Sequence, residues 1–313
     1  MRSQQHIFNK PLYLTDGGME TTLVFHRGID LNHFAAFELL SNEQGRQELK
    51  HYYQTYVDIA AKNNLDFILE APTWRANSDW GSLMGYTVKQ LGEINKDAIY
   101  FLRQLVSDQD HDAYHFILSG CIGPRGDGYL PGSLMSISEA KLYHLAQIQD
   151  FAYADADLVN AMTISYANEA VGIAKAAQYF GIPVAISFTL ETDGKLPSGE
   201  SLGQAITKVD DQTSGYPVHF MINCAHPNHF DDVLKQAEGY WINRIGGIRA
   251  NASCKSHAEL DNSETLDTGD KYQLVKGYQV SRDLLPNLKV IGGCCGTDHS
   301  HMEQIVEALL VND

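Results

Sequence analysis

The chain has 313 residues, 44% of them apolar, and a formal net charge of −16 from 23 basic and 39 acidic side chains. That length accommodates one α/β domain of ~250 residues with insertions, or two smaller domains, and the apolar fraction is ordinary for a globular protein. The negative charge argues against a nucleic-acid partner, and no apolar run approaches the ~18 residues of a membrane span.

In chain order, eight short apolar runs read as strands: PLYLTD (11–16), DFILEA (66–71), HFILSG (115–120), DLVNAM (157–162), PVAISF (183–188), VHFMIN (218–223), GGIRAN (246–251) and LKVIGG (288–293). Several are almost continuously apolar and rich in Val, Ile, Leu and Phe, as strands covered on both faces are. Helical stripes lie between them. Leu49, Tyr52, Tyr53, Tyr56, Val57 and Ala60 follow the i, i+3, i+4, i+7 rule, as do Leu91, Ile94, Ala98, Leu102 and Leu105. Ser136 with Glu139, and Ser41 with Gln44, have capping-box spacing ahead of helical stretches. Met302, Ile305, Val306 and Leu309 form the last stripe.

Strand then helix, repeated eight times, predicts parallel strands with crossover helices, closing into a single-domain (β/α)₈ TIM barrel over residues 1–313. An open doubly wound sheet is the rival, but no G-x-G-x-x-G follows the first strand. The long irregular stretches 124–135 and 251–264 follow strands. They therefore belong to the C-terminal rim, where barrel enzymes do their chemistry.

The cysteines are Cys121, Cys224, Cys254, Cys294 and Cys295. An odd number, with no apolar leader in residues 1–10, reads as cytoplasmic thiols kept for metal binding or catalysis. Cys224 follows the sixth run directly, and Cys294 and Cys295 follow the eighth. Two strand ends separated by one neighbour in a closed barrel can converge at its mouth. Three thiolates there suit Zn²⁺ and leave its fourth position open, the arrangement of a catalytic rather than a structural ion. Such a centre can hold an incoming thiol as a thiolate, so the natural reaction is attack on an electrophilic carbon.

The strings GGCCGT (292–297), Asn223-Cys224 and TDGGMET (15–21) resemble the homocysteine S-methyltransferase family, and the likeness extends over nearly the whole chain. That resemblance implies a (β/α)₈ barrel, zinc on Cys224, Cys294 and Cys295, and homocysteine bound through sulfur. It places Asp16 near the substrate amino group and Gly17 and Gly18 in a turn whose N–H groups receive a carboxylate. Thr73 and Asn77 after strand two look family-like, Asn223 joins the substrate residues, and Trp74 can face a sulfonium or ammonium methyl donor. One position departs. The family carries Glu-Thr at the end of strand four, its Glu holding the amino group, whereas here Met162 precedes Thr163. A thioether has no charge to offer an ammonium, so either Glu70 or Glu20 takes that role or the thiol is not homocysteine.

The expected reaction partners are therefore a small-molecule thiol and a methyl donor, with no separate domain for cobalamin or folate and an open oligomeric state. Two rivals stand beside this reading: a barrel enzyme with a phosphate cradle in its glycine-rich mouth, and a binding protein that kept a metal but lost its substrate. Cys121 reads as packing, Cys254 as a distant spare ligand, and Tyr166 as a candidate for zinc's open position. His226, His229 and His257 are set aside as ligands, and His299 and His301 read as ordinary exposed residues opening the last helix.

Overall fold

The computed structural model describes residues 7–109, 115–263 and 265–310. Residues 1–6, part of the stretch on which the expectation of no apolar leader was read, and Glu264, at the end of the second rim stretch, lie outside them. Eight parallel strands close into one barrel in sequence order, β1 Tyr13–Leu14, β2 Asp66–Glu70, β3 Phe116–Ile122, β4 Leu158–Ile164, β5 Val184–Thr189, β6 His219–Asn223, β7 Ile245–Ala250 and β8 Val290–Gly293. Every strand falls on one of the eight apolar runs.

The helices, in order, are α1 Met19–Thr21, α2 Glu43–Lys62, α3 Ser78–Leu83, α4 Val88–Ser107, α5 Ile137–Tyr153 and α6 Ala167–Phe180. They continue with α7 Leu202–Thr213, α8 Pro227–Lys235, α9 His257–Asp261, α10 Lys271–Leu284 and α11 His299–Leu310. The predicted stripes are their buried faces: Leu49, Tyr52, Tyr53, Tyr56 and Val57 on α2, and Met302, Ile305, Val306 and Leu309 on α11. The Ser136–Glu139 capping box forms as read, starting α5. The Ser41–Gln44 signal does not. Ser41 donates back to the Glu38 carbonyl, and Asn42 caps α2 by accepting from the Gly45 N–H at 2.9 Å. Asn is as good a cap as Ser, and a short 3₁₀ segment over Ala36–Ser41 sets the boundary one residue later. No helix of the described residues is long and apolar enough to cross a membrane.

Inside the barrel, period-2 alternation separates two levels. At the N-terminal end Tyr13, Ile68, Ile117, Leu158, Met221 and Val290 form an apolar floor. Two residues further along the same strands, the inward positions become Glu70, Ser119, Asn160 and Asn223. The floor shuts one end, so water, substrate and charge enter only from the C-terminal rim.

Candidate active site and metal centre

The three predicted cysteines do converge. Their sulfurs all lie within 4.8 Å of one another, and those of Cys224 and Cys295 are 3.9 Å apart. That is close to the ~3.8 Å edge of a tetrahedron built with Zn–S bonds of about 2.3 Å. Cys224 and Cys294 are joined as a disulfide, so these two must be reduced before they can hold an ion.

Local backbone geometry brings the sulfurs together. Cys224 leaves β6 in the left-handed region at φ 51°, and Thr163 leaves β4 at φ 62°. Both are costly conformations for side chains with a Cβ, of order 1–3 kcal/mol each, and such strain clusters at functional sites. The two β8 cysteines need a close approach from the first strand's turn. A Cβ at Gly18 would meet the Cys294 carbonyl at 2.5 Å, so only glycine fits there.

Each sulfur has a donor aimed at it. The Asn223 amide approaches the Cys294 sulfur at 3.9 Å, and the Thr163 hydroxyl approaches that of Cys224 at 4.0 Å. The Tyr129 hydroxyl hydrogen-bonds Cys295. Burial nevertheless pushes the Cys295 thiol up to about 11, with Tyr129 pulling the other way. Thiols placed so deep need a cation to become thiolates, and a soft divalent ion supplies it. The residues present fit that group.

The pocket over the sulfurs, about 90 Å³, is lined by Asp16, Glu20, Glu70, Trp74, Met162, Arg249 and the cysteines, among others. Arg249, on β7, is its buried organiser. It meets Asp16 at 2.6 Å and Glu70 at 3.4 Å. The other Asp16 oxygen accepts from the Tyr52 hydroxyl at 2.9 Å, while Glu70 also accepts from Asn160 at 2.7 Å. Desolvation pushes Glu70 up to about 7, against the pull of Arg249, and Glu20 up to about 6. Two carboxyl groups thus share one guanidinium and a third, Glu20, stands in the same pocket beside the sulfur cluster, which favours a further positive charge.

Several expected residues take other parts. Gly17 and Gly18 line the pocket, the Gly18 N–H donating to the Thr297 carbonyl at 3.1 Å and that of Gly17 bonding Tyr56. The Thr73 hydroxyl is used on the Cys121 carbonyl at 2.8 Å and stands behind the pocket wall. Asn77 caps α3 by accepting from Trp80. Asn223 bridges strands, accepting from Thr163 N–H at 2.9 Å and from the Ser187 hydroxyl at 2.7 Å. The Tyr166 hydroxyl is used in accepting from Met135 N–H at 3.2 Å, and the tyrosine that lines the pocket beside Cys295 is Tyr129. Cys254 is exposed and outside the cluster. His301 is buried rather than exposed, pairing with Asp298 at 2.7 Å. Nor is there a phosphate cradle after β8, because the N–H groups of Gly293, Cys294 and Thr297 all donate to backbone carbonyls and that of Gly296 to Thr21.

Comparison with known proteins decides the family. The homocysteine S-methyltransferase family model matches residues 13–309. The chain belongs to the homocysteine S-methyltransferase family. It is therefore a methyltransferase, and the Cys224, Cys294, Cys295 cluster lies within the matched family domain. Among solved structures the fold is similar to the Escherichia coli homocysteine methyltransferase MmuM in its metallated form, with TM-score 0.73, 17% identity and 96% of each chain covered. The oxidized form of MmuM matches with TM-score 0.74, 18% identity and 97% of each chain covered. The apo form of MmuM matches with TM-score 0.68 and 17% identity over 98% of this chain and all of that one. A search of curated protein sequences finds no match.

Arg249 and Tyr129 were not singled out from the sequence. Arg249 had a legible signal: a guanidinium inside an otherwise apolar strand must be paired, since arginine is almost never buried alone. Tyr129 had none, because its loop gives no register.

Proposed function

We propose that this homocysteine S-methyltransferase family member moves a methyl group from a sulfonium donor such as S-methylmethionine to homocysteine, giving methionine, with zinc held by Cys224, Cys294 and Cys295. The observation that carries the proposal is the gathering of three sulfurs within 4.8 Å at the bottom of a pocket lined by carboxylates. When bound, zinc would lower the pKa of the acceptor thiol and keep it as a thiolate. The thiol proton leaves to solvent, the new S–CH₃ bond forms as the sulfonium C–S bond breaks, and the donor departs as a neutral thioether.

The chain's own residues orient the acceptor and keep water away. Met162 lines the pocket and contributes no charge, but Glu20 and Glu70 line it too. They give the homocysteine ammonium a carboxylate partner without help from position 162. Arg249 holds Asp16 and Glu70 in place, and the floor beneath excludes bulk water, which strengthens each of these attractions. Free thiols at the site call for a reducing, cytoplasmic compartment.

The test is a reduced preparation assayed for metal and for transfer between a panel of thiols and onium donors. About one zinc per chain is expected, with homocysteine preferred among thiols. Cys294→Ala should lose the metal and lower the rate on the order of 10³-fold or more. A metal-replete, fully active Cys294→Ala enzyme would overturn the proposal.

A further inference from the structure

Outside the sulfur pocket, toward solvent, lies a chamber of about 420 Å³. Its lining runs from Cys295 and Glu20 past Trp74 and Tyr129 to Arg75 and Asp127. Its size suits a small molecule, and it shares Glu20, Trp74, Tyr129 and Cys295 with the inner pocket, so the two spaces meet at the metal centre.

Arg75 is unusual there. It is 9% exposed, and its guanidinium lies between the rings of Trp74 and Trp80, 3.9 Å and 3.8 Å from their centroids. One amino group donates to the Gly126 carbonyl at 3.2 Å, which also accepts from Trp80. The buried Nε has no partner, and among the described residues no carboxylate forms an ion pair with this side chain. A buried cation with no carboxylate in contact is expensive, even though Asp127 and Glu20 attract it from elsewhere in the chamber lining. The two indoles hold the guanidinium flat and prevent it from swinging out to water. No other Lys or Arg is found among the residues lining the chamber.

We infer that Arg75 binds the carboxylate of the methyl donor, making the enzyme selective for onium donors that carry one. This rests on the methyl-transfer reading above. Arg75 lines the outer chamber and not the sulfur pocket, so a carboxylate on Arg75 belongs to the molecule approaching the thiolate rather than to the one bound through sulfur. The same donor would place its cationic end toward Trp74, Tyr129 and Glu20, where aromatic faces and a carboxylate favour positive charge.

The experiment compares S-methylmethionine with its decarboxylated analogue, (3-aminopropyl)dimethylsulfonium, for the reduced zinc enzyme and for Arg75→Gln. Wild type should favour the carboxylated donor by about 30-fold or more in kcat/KM, the effect of a hydrogen-bonded charge. Arg75→Gln should erase that preference through the donor KM, leaving the homocysteine KM, the zinc content and the turnover of the decarboxylated donor unchanged. Equal use of both donors by wild type would overturn the inference while leaving methyl transfer intact, and needs no variant to fold. A variant that loses both donors equally makes Arg75 structural and also overturns it. A rise in the homocysteine KM instead would assign the carboxylate to the acceptor and overturn it as stated. Wild type transferring from no onium donor would remove both this inference and the reaction it rests on.

Discussion

The floor of this barrel is built from six of its strands and the mouth from strand ends and the turns just beyond them, yet the two follow opposite rules. The floor residues Tyr13, Ile68, Ile117, Leu158, Met221 and Val290 are buried and packed together. At the mouth, Asp16, Glu70 and Arg249 are as buried as the floor but charged, and Thr163 and Cys224 sit in left-handed backbone. The floor gains stability by removing apolar surface from water. The mouth gives some up, since desolvated carboxyl groups and strained residues are costly and are retained where chemistry needs them. The contrast shows how one scaffold separates folding from reactivity with no change of element.

The sharpest way to break the comparison is Arg249→Met. Removing the guanidinium leaves Asp16 and Glu70 buried with less compensation, which should cost about 3–5 kcal/mol of stability. Acceptor binding should weaken with it, read as a lower denaturation midpoint and a higher homocysteine KM. An unchanged midpoint would show that the mouth does not depend on that pairing.

Leu158→Ala tests the other level. A floor cavity should cost about 3 kcal/mol while the folded fraction keeps its KM values. Altered donor or acceptor KM in stable, folded protein would show that the two levels are not separable.

A smaller effect concerns pH. Glu70 is raised from 4.5 to about 7 by burial, so between those values the folded state binds more protons than the unfolded one. Its contribution to stability is therefore present below about 4.5 and lost as pH rises through about 7, a slope of at most about 1.4 kcal/mol per pH unit. Metal-free Glu70→Gln protein should lack that slope in denaturation series from pH 4.5 to 7; an identical slope in both proteins would assign it elsewhere.

Much of this was legible along the chain. Strand positions followed from apolar runs, because a strand covered on both faces must be apolar almost throughout, and helix faces followed from their period. The cysteine cluster was legible because strand ends have a fixed place in a barrel, so Cys224 and the Cys294–Cys295 pair could be put on one rim. The start of α2 was not, because Ser41 and Asn42 are both good caps and the preceding 3₁₀ segment chose between them.

The sequence by itself therefore determined the barrel, its order and the cysteines that cluster at its mouth, since those depend on local periodicity and on motifs whose members lie at strand ends. Tertiary structure alone decided which polar groups remain available. The Thr73 hydroxyl is committed to the Cys121 carbonyl and Asn223 bridges strands, whereas the Nε of Arg75, in the chamber lining, has no partner. The reason is that a hydrogen-bonding group has a fixed capacity, and whether it is filled from within depends on residues tens or hundreds of positions away.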